Sequence, residues 1–330
     1  MSVRAPLAFA QVARQTRVLP HSVLISELAG GFERFARLTY PRFAPWLAES
    51  GAQTVAIGAL AEGRPIGLAL ARVETAYTAR LLSLNVESPW RERGIGAALL
   101  AASEGALAER GALDIMAMHS SRTVSRGAFE RTLAAADWEA SRLAALRVTG
   151  RCGPMLEAVG AWPSMRRLLA QSTYTFAPWA GIDANDREAI EHLCAQPPCR
   201  SCAALTPAMW PDAIEPVTSF VVRRDRRLVG WVISEHQPAR EGSPGSIHYA
   251  AAYLDTALWH TGVMVAAYRH AFASQAAVFG PTSLARFETP VFLRGMFGLI
   301  RRRLAPLALS VDEVLVTRKL LQASAPDVVQ

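Results

Sequence analysis

The chain has 330 residues, 51% of them hydrophobic, enough for two ordinary domains with their own cores and too apolar for wholesale disorder. Its formal net charge of +7 suits anionic partners, but the arginines are dispersed. They lack the interleaved aromatics of a nucleic-acid groove, so nucleic acid is not an expected partner.

No apolar run approaches the roughly 20 residues that cross a bilayer, so no membrane partner is expected. The basic segment 1–17 holds too short an apolar stretch for a secretory signal, although its composition would also suit an organelle transit peptide. The expected location is the cytoplasm. Four cysteines are too few for a disulfide scaffold in this length. Cys194, Cys199 and Cys202 cluster near His192, and Cys199-x-x-Cys202 has a spacing that zinc sites and redox pairs use. The second knuckle of the usual zinc pattern is missing, and Pro197 and Pro198 break the segment, so plain thiols and no metal are expected.

In chain order, 22–47 reads as one or two amphipathic helices. Leu24, Leu28, Phe32, Phe35 and Leu38 share a stripe, and Tyr40, Pro41 and Pro45 end it. Strands 54–60 and 66–73 flank the turn Glu62-Gly63-Arg64-Pro65 as a hairpin. Strand 81–86 follows. It leads to Arg91-Glu92-Arg93-Gly94-Ile95-Gly96-Ala97, which opens an alanine- and leucine-rich helix ending at Arg110. Two glycines there let the backbone approach a ligand closely. The first N–H groups of the helix lack intrahelical partners and its dipole favours negative charge, so the turn can hold a pyrophosphate. An apolar strand at 113–118, a helix at 125–136 and the last strands of this half at 139–148 come next. Two glycines and a proline in 149–154 place a domain boundary there, giving domains 1–152 and 153–330.

The second half repeats this order. Residues 59–70 lie on 222–233 without a gap, with Glu62 on Asp225, Ile66 on Val229 and Gly67 on Gly230. Strand 247–253 takes the place of 81–86, and Trp259-His260-Thr261-Gly262-Val263-Met264 that of the glycine turn. The offset grows from 163 (Gly67 to Gly230) to 168 (Gly94 to Gly262), which puts a five-residue insertion in the loop 237–245. A helix at 265–273, a strand at 276–279, a helix at 290–297 and a closing strand at 313–317 complete the parallel.

The order hairpin, strand, Arg91-x-x-Gly94-x-Gly96, helix, strand, helix resembles the GNAT superfamily of acyl-CoA-dependent N-acyltransferases over residues 22–149. Val86 and Pro89-Trp90 match the apolar residue, proline and aromatic that often precede its glycine turn. Asp137-Trp138 stands in the place of the family's Gly-Phe. The resemblance implies an α/β protein of two consecutive GNAT-like domains, each a mixed, mostly antiparallel twisted sheet flanked by helices. It implies acetyl-CoA or another acyl-CoA as co-substrate. The backbone of Glu92, Arg93, Gly94, Ile95, Gly96 and Ala97, following Arg91, would hold the pyrophosphate. Leu84 and Val86 would lie beside the pantetheine and acyl group, on a strand that splays from the next one.

The expected proton donor and base depart from the family pattern. The family's tyrosine on the last helix is Leu133 here, and its glutamate early on the fourth strand is Arg80. His119 and Glu74 are the local catalytic candidates, with Glu87 a third and a water chain an alternative. Trp259 and Met264 replace the arginine and second glycine of the other copy, so the C-terminal copy is expected to be degenerate and not to bind CoA productively. In tandem proteins of this kind the silent copy buttresses the active one and can wall the acceptor cleft. Tyr249, Asp255, His260 and Glu288 are its polar candidates, and Tyr40 and Trp46 are candidate wall residues in the first half. Three functions follow: acyl transfer to an amine of a small molecule or peptide, non-catalytic acyl-CoA binding or regulation, and aminoacyl-tRNA-dependent transfer.

Overall fold

The structure is a computed structural model that describes residues 22–48, 51, 53–163, 165–166, 168, 173–197, 199–210, 214–239 and 244–321. The readings made for 1–17, for Pro198 and for 240–243 of the insertion loop lie outside the described residues. The chain divides into two compact units. Unit 1 comprises residues 1–119, 123–142 and 315–330, and unit 2 comprises 120–122 and 143–314.

Unit 1 is built on β1 (Val23–Glu27), β2 (Thr54–Ala61), β3 (Arg64–Val73), β4 (Thr78–Val86) and β5 (Asp114–Ser120). They lie in that order, and the end of β12 (Ser310–Leu320) follows β5. β2 and β3 are apolar on both faces because both faces are covered. Val55, Ile57, Ala69 and Ala71 pack with Leu99 and Leu100 of α2 (Ile95–Glu109). Ala56, Leu68 and Leu70 pack with Phe35 and Leu38 of the 3-10 turn Phe32–Leu38 and with Leu47 of α1 (Ala44–Ala48). Glu62 and Gly63 close the hairpin with φ of 51° and 74°, the left-handed pair a two-residue turn of this hand requires. α3 (Arg126–Ala135) completes the unit.

The helical reading of 22–47 fails at its start. Residues 23–27 pair antiparallel with β2, from Val23 opposite Ala61 to Glu27 opposite Ile57. The strand wins because β2 offers an edge ladder, and because Gly30 and Gly31 break any helix running on from it.

Unit 2 contains β6 (Arg142–Arg151), α4 (Cys152–Ala161), β7 (Tyr174–Pro178), α5 (Ala184–Cys194), β8 (Phe220–Arg224), β9 (Arg227–Gln237), β10 (Ser246–Leu254), α6 (Val263–Phe279), β11 (Leu284–Pro290) and α7 (Arg294–Leu299). Its strands run β12-β6-β11-β10-β9-β8-β7. The strand expected at 276–279 is the last turn of α6, which ends at Gly280 with φ 83°. The actual strand, β11, lies later, and the helix expected at 290–297 begins at Arg294.

The division at 152/153 is also not where the chain parts. Residues 149–154 are the end of β6 and the first turn of α4. β6 forms an antiparallel ladder with β11, from Ala145 opposite Pro290 to Arg151 opposite Leu284. A strand belongs where its ladder is, so 143–151 fall to unit 2. Unit 1 is finished instead by 315–320, where the Glu139 N–H donates to the Arg318 carbonyl at 2.9 Å and the Leu321 N–H to the Leu113 carbonyl at 2.9 Å.

The two units repeat one backbone. β4 pairs parallel with β5 over four residues, Thr78–Leu81, and β10 with β11 over four, Ser246–Tyr249. Each ladder ends beside a bulge, at Leu82 in β4 and at Ala250 in β10. Gly94 and Gly262 both start a helix with φ of 84° and 88°, and Glu92 and His260 both have positive φ two residues earlier.

Candidate active site

The site is built at the C-terminal end of β4. The N-terminus of α2 has no side-chain cap, and its first helical acceptance is Ala98 N–H on the Gly94 carbonyl at 3.0 Å. The N–H groups of Ile95, Gly96 and Ala97 precede that bond, so they have no intrahelical partner and carry the positive end of the dipole. Gly94 takes the left-handed φ that the turn needs. A Cβ on Gly96 would stand 3.8 Å from Val86 Cγ2 and touch nothing closer, so its absence leaves the backbone open to a ligand. Glu92, Arg93 and Ala97 are exposed around it. The Arg91 Nε–H donates to the Val86 carbonyl at 2.8 Å and ties the turn to the strand. The Arg93 guanidinium lies over the Trp90 ring at 5.1 Å.

Beyond Leu81, β4 has no ladder partner on the β5 side among the described residues. Leu84 and Val86 follow the bulge, with side chains against the α2 core. Their strand therefore presents an open backbone edge that runs up to the glycine turn, as a strand-like chain would need for docking.

The two catalytic candidates stand on opposite faces of this sheet. His119 shares the parity of Ile115 and Ala117, which are buried against α2, so it lies on that face. Its side chain is only 7% exposed, packs edge-on to Phe129 at 5.3 Å, and places Nε2 3.1 Å from Glu130 Oε1. Burial alone would raise the Glu130 carboxyl, but hydrogen bonds from His119 and Arg126 hold it below its ordinary value. With Glu130 accepting from Nε2–H, the buried Nδ1 has no partner among the described residues. It can accept a proton or, in the charged ring, donate one.

Glu74 lies on the other face, 2.7 Å from Arg80 Nη2. Both line a hollow of about 270 Å³ with Trp46, Gln53, Arg72, Val73 and the bulged Leu82. Trp46 lines this hollow and is stacked on Phe43 at 5.4 Å. Tyr40 is exposed, edge-on to Phe43, and does not line the hollow. Glu87 pairs with Arg37 and Arg64, away from the hollow's lining. Leu133 is buried in the α2 core, where a tyrosine hydroxyl would need a partner.

Sequence reasoning missed three groups here: Glu130, Gln53 and Arg72. Arg72 had a visible signal, two same-signed residues at matched distances from a hairpin. Glu130 had none, because only the packing of α3 brings it to His119.

Unit 2 keeps the frame and changes the contents. The Trp259 Nε1–H donates to the Leu254 carbonyl at 2.9 Å, the same bond Arg91 makes to Val86. Met264 is half-buried against the unit 2 core, and Leu168 Cδ2 lies 3.7 Å from where a Cβ on Gly262 would be. Of the polar candidates, Tyr249 is buried and donates to Gln275 at 2.8 Å, and Asp255 accepts from the Ala257 N–H at 3.0 Å as a cap. Glu288 is held by Arg147 at 2.7 Å, and His260 lies beside Gly295. Three of the four are thus occupied inside their own unit. Cys194, Cys199 and Cys202 are free thiols, and burial beside Cys194 pushes Cys199 up to about 12. No group of three or more metal-ligating side chains is placed to hold an ion among the described residues. No helix among them is long and apolar enough to cross a membrane.

Residues 22–134 match the acetyltransferase (GNAT) family. The fold is the GNAT fold. The chain is similar in structure to a tandem GNAT protein from the clavulanic acid biosynthesis pathway, with a TM-score of 0.61 at 12% identity, covering 92% of this chain and 100% of that one. A GCN5-related N-acetyltransferase from Sphaerobacter thermophilus gives a TM-score of 0.61 at 15% identity, covering 93% of this chain and 98% of that one. A glucosamine N-acetyltransferase region of a fungal multi-domain GH3 β-N-acetylglucosaminidase gives 0.62 at 10%, covering 91% and 38%. No curated protein sequence matches the chain.

Proposed function

We propose that the protein moves a short acyl group, acetyl in the first instance, from acyl-CoA to an amine of a small molecule or peptide in the cytoplasm, and that unit 1 carries the site. The observation behind this reading is the uncapped N-terminus of α2 at Gly94–Gly96, next to the unpaired edge of β4. The N–H groups from Glu92 to Ala97 suit a pyrophosphate, and the edge along Leu84 and Val86 suits the amide-bearing arm that follows it. In the reaction the amine nitrogen forms a bond to the thioester carbonyl carbon. The C–S bond breaks, sulfur keeps the electron pair, and the proton lost by the amine ends on the thiol. Glu74 is on the face that would receive the amine and His119 on the α2 face, so the first fits proton removal or ammonium binding and the second fits exchange at the sulfur. Unit 2 serves as the non-binding copy, with Met264 where the first copy needs bare backbone.

The test combines a thermal shift with millimolar acetyl-CoA and CoA-thiol release across an amine panel. No shift would end the proposal. A second reading, acyl-CoA binding without turnover, draws on Leu133 being core and Arg80 being tied to Glu74. It expects the shift with no thiol release for any amine.

A further inference from the structure

The hollow beside Leu82 has an uneven charge. Arg72 on β3 and Arg80 on β4 are direct cross-strand partners and both line it. Like charges directly opposite in a ladder destabilise a sheet. One is offset: Glu74 takes Arg80 Nη2 at 2.7 Å. The other rests its guanidinium over Trp46 at 4.9 Å, a contact to the ring face that uses no carboxylate. Arg80 Nε is buried with no hydrogen-bond partner among the described residues. Among the described residues that line it, two guanidiniums stand against one carboxylate, a net positive lining.

Unit 2 resolves the same position differently. There the equivalent cross-strand partners are Glu235 and His248, which hydrogen-bond each other at 2.8 Å and need nothing from outside. The arginine pair is thus not dictated by the shared backbone.

Resting on the acyltransferase reading, we infer that the acceptor is an amine carrying a carboxylate, an amino-acid-sized zwitterion whose anionic end seats on Arg72 and Arg80. A carboxylate would supply the second countercharge at the guanidinium ends. Trp46 and Leu82 offer apolar surface to its body, and the bulge at Leu82 puts its amine next to the open edge of β4. About 270 Å³ lies at the small end of ligand pockets and gives room for an amino-acid-sized group. Polyamines and other polycations would meet two guanidiniums and are disfavoured.

The experiment uses the full chain with saturating acetyl-CoA and the twenty proteinogenic amino acids, each beside its carboxamide. CoA-thiol release and thermal shift are both read. At least one free acid should exceed its amide by about tenfold in kcat/KM or in apparent affinity, the worth of one charge-assisted hydrogen bond. Arg72→Gln should erase that preference while leaving the acetyl-CoA shift in place, and Arg72→Lys should keep part of it. The inference is overturned if no free acid outperforms its amide, silence across the panel included. Loss of the acetyl-CoA shift itself would instead overturn the function, so the two failures are distinguishable. If Arg72→Gln does not fold, the acid-to-amide ratio of the unaltered protein still decides.

Discussion

At the scale of single residues, the second unit supplies the controls for the first. Arg91 and Trp259 donate the same bond to the same backbone position. Arg91→Trp should therefore fold, with a Tm within about 3 °C of the parent, since any loss is expected to stay below ~1 kcal/mol. If the guanidinium also attracts the co-substrate, acetyl-CoA affinity falls while Tm holds, and a titration separates the two roles. Gly96→Met copies Met264. The nearest protein atom leaves a Cβ 3.8 Å of room, so the fold should tolerate it. Acetyl-CoA affinity should drop on the order of tenfold or more, ~1.4 kcal/mol, because the side chain would enter the space that glycine keeps clear. An unchanged affinity would move the co-substrate site elsewhere. His119→Gln keeps a donor toward Glu130 but cannot be charged. If His119 exchanges the proton at the sulfur, as proposed, the change should cost about 100-fold in kcat with the acetyl-CoA shift unchanged. A structural role alone would lower Tm and leave kcat near the parent value.

At the scale of elements, the parts legible in the sequence were those whose signal is local. The hairpin turn at Glu62 and Gly63, the glycine turn and α2, and their counterparts in 222–233 and at Gly262, are fixed by backbone conformations that few residues adopt, so they can be read from one stretch of chain. What was misread depends on a distant partner. Residues 23–27 carry an apolar stripe that also suits a helix, and only the edge of β2 decides. β11 shows a buried alternation at Ala285, Phe287 and Thr289, but it was displaced by the apolar end of α6 just before it. In the site, the glycine turn was visible while the Glu130 partner of His119 was not, since α3 reaches it only after folding. The repeat itself makes one more prediction. Gly67 and Gly230 are equivalent, but Gly67 faces α2 and Gly230 the neighbouring strand β10. A Cβ on Gly67 would meet Leu99 Cδ1 at 2.9 Å, the tip of a side chain that can turn away. On Gly230 it would collide with the Tyr253 carbonyl oxygen and come within 3.1 Å of Leu254 Cα, both backbone. Gly230→Ala should thus destabilise its unit by about 3 kcal/mol or more, and Gly67→Ala by about 1 kcal/mol. Urea unfolding of the two variants checks the order, and the reverse order would show that β9 and β10 can separate freely.

At the scale of the whole molecule, neither half of the sequence is a complete unit. Unit 1 needs residues from the far end of the chain. Beside the backbone bonds to Glu139 and Leu113, the Thr317 hydroxyl donates to the Glu139 carbonyl at 2.6 Å, Arg318 Nε donates to Asp114 at 2.6 Å, and Lys319 pairs with Glu104. Removing this segment would leave β5 with an open edge next to β4 and strip partners from α2. A chain cut after Cys152, the natural place to cut if the halves were independent, should therefore lack a stable unit 1. It should show no cooperative melting transition and no acetyl-CoA shift. Appending 310–321 behind a glycine-serine linker should restore both, because it returns the missing ladder without the rest of unit 2. If the cut chain melts cooperatively and binds acetyl-CoA unaided, β5 does not require that ladder, and the first half stands alone as its sequence suggested. If the appended strand restores melting but not the shift, the ladder completes the fold, and the acyl-CoA site depends on something more than unit 1.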